Sequence, residues 1–398
     1  MTSITIVGGV YLEYCEWPSW DMVWGSGGRA AAAVAGSQID NVRLISYLDN
    51  DTKARFAPFA DLYGFKLETV ARDCPISFDY VHPLSVPIIR PTFGTIPANP
   101  PIEITSDIVL RFGMLEGTGI INADTCVYDP QSAFGAEPFD QNGSTAKRLA
   151  IVGNSSEIQA MCQSNDALAG ARDLIANSIA DVVVVKSGID GAFVVTERGT
   201  DNIPAFSAQN IFKIGSGDVF AASFAAFWAV HDMDPVQAGR LASIAVSDYV
   251  ESRELPIRSS DDLARSKKLP LTACQDQVYL AGPFFTMAQR WLINEARRSL
   301  RGAGLRVLSP FHDIGHGPAE FVGPADVAAL KKSDAVFAIL DGLDSGTVFE
   351  IGFARALGKS VYVFSQNVAE EDLKMVVGTD CNVFNDFVTA IFAIATRS

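Results

Sequence analysis

Two successive α/β units are expected from this chain, on three observations. Short β-branched runs alternate with alanine-rich stretches from end to end, the pattern of a largely parallel sheet layered with helices. A polar, charged segment without aromatics, Glu254 to Lys268, interrupts the alternation. Beyond it the pattern starts afresh with an apolar strand, Gln277 to Leu280. At 398 residues, 48% of them hydrophobic and 19% charged, the chain holds enough apolar material for more than one core, and wholesale disorder is excluded.

The opening run, Ile4 to Val7, has no basic residue ahead of it, so it reads as a first strand and not as a signal peptide. Val42 to Ser46, Gly119 to Asn122, Leu149 to Val152 and Asp181 to Val185 are further strands, and the alanines from Arg29 to Ala35 form a packed helix. In the second part, AGPFF follows the strand at 277, and a helix from Met287 to Gly302 leads to a strand at Leu305 to Leu308. Strands Ala335 to Leu340 and Ser360 to Phe364 then bracket a helix at Thr347 to Leu357. These elements make a small doubly wound, Rossmann-like (flavodoxin-like) parallel sheet. The expected boundaries are a first domain at 1–257, a linker at 258–275 and a second domain at 276–398.

Lysine plus arginine number 31 against 46 aspartates plus glutamates, a net charge of −15, which disfavours nucleic acid and anionic membrane as partners. No stretch of about 18 uncharged apolar residues is present to span a bilayer. Six scattered cysteines without a CxxC pair read as reduced thiols of a cytoplasmic protein.

Near the end of the first domain stands Phe212-Lys213-Ile214-Gly215-Ser216-Gly217-Asp218, followed by a run of small and aromatic residues. Glycines just before a helix let several backbone N–H groups point at one place, where the helix dipole also favours an anion. An aspartate there can take the proton of a hydroxyl that attacks a phosphoryl group, or simply cap the helix. The order of motifs over roughly 1–257 resembles the ribokinase-like PfkB family of carbohydrate and nucleoside kinases. Val7-Gly8-Gly9 ends the first strand, Glu13 stands near the family's substrate-binding aspartate, and Gly25 to Arg29 is similar to its di-glycine loop. Asn154 and Glu157 match its N-x-x-E element, Val182 to Gly191 its strand and turn before the nucleotide, and Gly215 to Asp218 its G-A-G-D. The resemblance implies that Glu13, Gly27 and Gly28 bind substrate, and that Gly215, Ser216, Gly217, Asn154 and Glu157 serve phosphate and magnesium. Asp218 would be the base and ATP with magnesium the cofactors. The asparagine after the di-glycine loop is absent from Ala30 to Ala33, the usual D-T-T is Phe212-Lys213-Ile214, and glycine-rich lid elements are not evident between 45 and 65. These departures leave kinase activity open against a degenerate kinase kept for binding.

The second domain carries Asp341-Gly342-Leu343-Asp344-Ser345-Gly346-Thr347-Val348-Phe349-Glu350 at a strand-to-helix turn. With Asp326 and Asp334 upstream, up to five carboxylates are expected at one end of the sheet. A nucleophilic carboxylate and a proton-donating one suit cleavage of a glycosidic bond with retention. The alternatives are a metal site, for which regularly spaced oxygen ligands are missing, and a solvated acidic rim. Residues 277 to 398 resemble the nucleoside 2-deoxyribosyltransferase family, through Val278 to Thr286 and DSGTVFEIGFARALGK. The resemblance implies Glu350 as nucleophile, Asp344 on a sugar hydroxyl, Asp326 protonating or anchoring the base, and Tyr279 orienting the nucleophile. Gly282, Phe285 and Asn382 would contact substrate, and His312 and His316 are read as base contacts or as ordinary loop histidines. No metal or cofactor is expected there; the partners would be nucleosides and free bases. A homo-oligomer is expected, because the related pockets are completed across a subunit contact and Phe387 to Ile394 is apolar nearly all round. Transfer of the sugar to another base or to water remains open, as do a nucleoside 5′-monophosphate N-glycosidase, a kinase with an oligomerising tail, and a nucleotide-sensing regulatory protein whose first domain is a pseudokinase.

Overall fold

The computed structural model describes residues 2–131 and 135–397. The chain divides into two compact units, Met1–Ala208 with Phe212–Pro270, and Leu271–Ser398 with Gln209–Ile211.

The first unit is built on a nine-stranded sheet. From edge to edge its order is Gly199–Ile203, Ala192–Thr196, Val182–Lys186, Thr145–Asn154, Gly119–Asp129, Ile102–Phe112, Ser3–Val7, Asn41–Leu48 and Lys66–Ala71. The first two pairings are antiparallel and the rest parallel. Val182 to Val185 are all buried, as a continuous apolar run in a strand covered on both faces should be. A separate four-stranded sheet, ordered Trp20–Val23, Leu12–Cys15, Ser77–Tyr80 and Ile88–Arg90, carries Glu13. None of these four short strands is among the sequence expectations, since each is only three or four residues long and of mixed polarity.

Helix Gly25–Val34 has all ten residues buried. Its glycines serve close packing: a Cβ on Gly27 would stand 2.6 Å from the Gly8 carbonyl oxygen, and one on Gly28 would meet the Phe56 ring at 2.8 Å. Helix Ser216–Phe224 passes into a wider π-helical turn, Ala225–Val230, and the long helix Pro235–Ser252 follows, capped by Asp234. The stretch read as a linker is largely folded. Ser259 caps a short helix, Ser260–Ala264, whose Leu263 is fully buried, and Arg258 bonds Asp248 at 2.7 and 2.9 Å. Composition points to solvent there, but one leucine at the right place docks the segment.

The second unit is a five-stranded all-parallel sheet in the order Arg306–Leu308, Gln277–Ala281, Ala335–Ile339, Ser360–Phe364, Asn382–Phe384. Numbered along the chain this is 2-1-3-4-5, the flavodoxin-like doubly wound order, whose switch point lies between the first and third strands. Helix Met287–Gly302 begins with a reciprocal cap between Thr286 and Gln289. Helix Phe387–Ala395 packs on the strand Ser360–Phe364 and on helix Met287–Gly302. Seven of its nine residues are buried, and Phe392 and Ala393 are half-buried.

Candidate functional site

In the second unit, the C-terminal ends of the strands at the switch point open into a cleft of about 290 Å³. Leu280 and Gly282 enter it from the first strand and its loop, Ser309, Pro310 and Phe311 from a second loop, and Asp344 to Thr347 from a third. Three carboxylates line it: Asp326 from helix Ala319–Lys332, Asp344, and Glu350 from helix Ser345–Ala356. Gly342, at φ 92°, makes the turn that brings Asp344 round to the head of its helix.

Each carboxylate is held differently. Asp344 caps the helix, its Oδ2 accepting from the Thr347 backbone N–H at 2.9 Å and from the Thr347 hydroxyl at 3.0 Å. Glu350, one turn on, accepts a short hydrogen bond from the hydroxyl of Tyr279, which is buried in the first strand. Burial pushes the Glu350 carboxyl up to about 7; the Tyr279 hydroxyl pulls it down, and the charges of Asp326 and Asp344 push it further up. The Tyr279 phenol is itself raised far above its ordinary range by burial and by Glu350, so it stays protonated and donates. Asp326 keeps a buried Oδ1 with no hydrogen-bond partner, and burial raises its carboxyl. A buried polar atom left open on a cleft is a place for a ligand atom.

Five gathered carboxylates become three. Asp334 stands at the opposite end of the sheet, where it accepts from the Gln277 backbone N–H at 2.8 Å, and Asp341 is taken up by the backbone of Gln366 and Asn367. His312 is not among the cleft-lining residues: Nδ1 meets the Ser309 hydroxyl at 2.9 Å and Nε2 the Asn294 Oδ1 at 2.7 Å. It fixes the loop that presents Ser309, Pro310 and Phe311. His316 stands edge-on to Phe284 and Phe311. Gly282 and Phe285 line the cleft, and a Cβ on Gly282 would press on Ile339 at 3.1 Å. Asn382 is exposed on the edge strand, away from the lining. Among the lining residues assigned no role from the sequence are Phe284, Phe311 and Ser309, which carry no charge to mark them.

In the first unit, Gly215 at φ 80° heads helix Ser216–Phe224, the left-handed turn that only glycine takes easily. The ammonium group of Lys186 lies near this loop, and that of Lys213 lies by the turn Gly188–Asp190. A Cβ on Gly217 would stand 3.6 Å from the Lys186 Nζ, and one on Gly188 3.9 Å from the Lys213 Nζ. Lys186 is paired at 2.5 Å with the fully buried Asp129, while burial and the charge of Lys186 lower the Lys213 ammonium. Asn154 and Glu157 form a reciprocal cap at the head of helix Ser155–Cys162, at 2.9 and 2.7 Å. Asp218 is enclosed: Oδ2 accepts from Arg29 Nη1 at 2.6 Å, and Oδ1 accepts a short bond from Gln131. The other arm of Arg29 holds Glu13 through a short ion pair, its Nε donates to the Tyr249 hydroxyl at 3.0 Å, and Glu13 in turn accepts from the Gly25 backbone N–H at 3.0 Å.

The Tyr279 contact makes a prediction. Since its hydroxyl lowers the Glu350 carboxyl, Tyr279→Phe shifts the ascending limb of any pH–rate profile, midpoint near 7 in the parent, toward higher pH. A limb that stays in place or moves down would show that Tyr279 does not stabilise the ionised carboxylate.

Two family models match the chain: pfkB family carbohydrate kinase over residues 122–254, and nucleoside 2-deoxyribosyltransferase over residues 278–385. No curated protein matches. Among solved structures, the chain is similar to the nucleoside kinase of Methanocaldococcus jannaschii, described as an archaeal member of the ribokinase family, at 14% identity and a TM-score of 0.50, covering 66% of this chain and 97% of that one. It is equally similar to a fructokinase double mutant from Vibrio cholerae O395, solved with fructose, ADP and potassium, with the same identity, coverage and TM-score. At this identity the likeness concerns the fold. The two matches fall on successive parts of the chain and are consistent with a fusion of a PfkB, ribokinase-like domain with a nucleoside 2-deoxyribosyltransferase-like domain.

Proposed function

We propose that the second domain cleaves the N-glycosidic bond of a nucleoside or deoxynucleoside through a covalent glycosyl-Glu350 ester. The observation that supports it most is the convergence of Asp326, Asp344 and Glu350 on one cleft, with Glu350 held by Tyr279. A Glu350 oxygen bonds to the anomeric carbon as the carbon–nitrogen bond breaks, and the electron pair leaves with the base, which takes a proton from Asp326. The remaining Asp344 oxygen is available to a sugar hydroxyl. In the second half, a ring nitrogen of another base or a water attacks the same carbon, Glu350 departs as carboxylate, and the attacking group's proton returns to Asp326.

A nucleoside suits the cleft better than a nucleoside 5′-monophosphate. Among the described residues lining it there is no lysine or arginine to meet a phosphate. Arg290, nearby, is engaged, with Nε donating to the Phe284 carbonyl at 2.8 Å and the guanidinium 5.6 Å over the Phe311 ring. The test is incubation with a panel of nucleosides and deoxynucleosides, with and without free bases, followed by chromatography and by mass analysis of the peptide that contains Glu350. Base release with a pentose adduct on that peptide is expected; turnover without any adduct under rapid quench would overturn the covalent route.

For the first domain, the glycine loop with Lys186 and Lys213 suits the phosphates of ATP, and magnesium would accompany them. A nucleoside or pentose kinase would couple two steps of nucleotide salvage. The enclosure of Asp218 favours the other reading, a nucleotide-sensing pseudokinase domain.

The full chain is expected to act in the cytoplasm as a homo-oligomer assembled through the second domain. With the last helix mostly buried, the support comes from exposed apolar side chains of the second domain, Phe285 on the cleft and Met287, Trp291, Phe321 and Phe349 on its helices. Sedimentation should give a dimer or larger at working concentration, and an active monomer would refute this.

A further inference from the structure

We infer that Arg29 is an internal cation that occupies the acceptor place of the first domain and holds that domain closed to phosphoryl transfer. This rests on reading Asp218 as the position of the proton-accepting group in the ribokinase-like fold.

Arg29 is 1% exposed and lies in a helix that is otherwise glycine, serine, alanine and valine. Its guanidinium bridges two carboxylates on different elements: Glu13, on the small four-stranded sheet, and Asp218, at the head of the glycine-loop helix. Glu13 is 4% exposed and Asp218 8%. An acceptor hydroxyl would need to lie against Asp218 to hand over its proton, yet both of that carboxylate's oxygens already accept, one from Arg29 and one from Gln131. Arg29 itself cannot give way by losing its charge, because the two carboxylates hold its guanidinium protonated in spite of burial.

The surroundings hold it in place. Nε is spent on the Tyr249 hydroxyl, which donates onward to the Ile214 carbonyl at 3.0 Å, immediately before the glycine loop. A Cβ on Gly215 would stand 2.1 Å from the Arg29 Nε, so the loop closes directly on the guanidinium. Rotating Arg29 out would strand two buried carboxylates without a counter-charge, which costs far more than a surface pair does. The triad thus fastens the small sheet to the head of the glycine-loop helix across the Asp218 carboxylate.

The test uses the full chain. With ATP, magnesium and a panel of nucleosides and pentoses, ADP formation should not exceed the background without acceptor. Arg29→Met and Asp218→Asn should each lower the apparent melting temperature, Arg29→Met by on the order of 10 °C, and the double variant should lose several °C less than the sum. Where Arg29→Met does not fold, Arg29→Lys replaces it in the cycle, since a lysine keeps the charge but cannot fork between two carboxylates. Acceptor-dependent ADP formation that Asp218→Asn abolishes would overturn the inference, and so would additive melting losses. Base release is followed in the same samples. It reports on the second domain, so failure of the glycosidic reading leaves the ADP result to stand by itself.

Discussion

Glu350→Gln protein releases base at least about 100-fold more slowly than the parent, a loss on the order of 3 kcal/mol or more of transition-state stabilisation. The amide has the shape of the acid and can still accept from Tyr279, but its oxygen is too weak a nucleophile to form the ester. The fold should not suffer. Burial already opposes the ionised form of Glu350, so a neutral amide at the same place removes a cost rather than a support, and the melting temperature of the second domain should be equal or higher. The carboxyl stands near 7, and so the gap between parent and variant should widen from pH 6 to pH 8 as more of the parent becomes carboxylate. Turnover like the parent's would remove Glu350 from the chemistry altogether.

The parts of this molecule that were legible in the sequence are those in which one strong local signal agrees with the packing. Helix Met287–Gly302 and strand Ser360–Phe364 lie where the apolar period places them, because cap, periodicity and burial all point the same way. The acidic helix head around Asp344 and Glu350 was legible for a similar reason: carboxylates beside a glycine turn are conspicuous against an apolar background. Other features depend on distant partners. Asp334 and Asp341 look the same as Asp326 along the chain, and only the topology shows that the first two bond backbone N–H groups while the third is left open on the cleft. His312 reads equally as a base contact or a loop histidine along the chain, and only the fold shows that its two nitrogens meet Ser309 and Asn294. The helix Phe387–Ala395 is apolar all round whether it is covered by its own domain or by a partner, so its composition cannot decide between them. In the first domain a further signal lies in the sequence itself. A lone arginine in GSGGRAAAAVAG, the one charge in a helix fit for a core, needs a buried counter-charge, and Glu13 and Asp218 are the two that supply it.

Asp326→Asn separates acid catalysis from mere contact. The parent side chain has a buried oxygen without a partner on the cleft, and burial holds its proton to higher pH than an ordinary aspartate. An asparagine keeps the size and can still bond a base, yet it has no proton to give. For a nucleoside whose base departs poorly unless protonated, base release should fall on the order of 100-fold. For a 2-deoxyriboside whose leaving group departs readily as an anion, the loss should be only a few-fold, since no proton is required. The pH profile carries the same information. A raised acid loses its proton, and its function, as pH climbs through its pKa, so the dependence on a protonated Asp326 should vanish in the variant, while the Glu350 titration persists and moves to lower pH because the Asp326 charge no longer pushes it up. Equal losses on both leaving groups, with a dependence on a protonated group intact, would reduce Asp326 to an anchor for the base and transfer the proton to another donor.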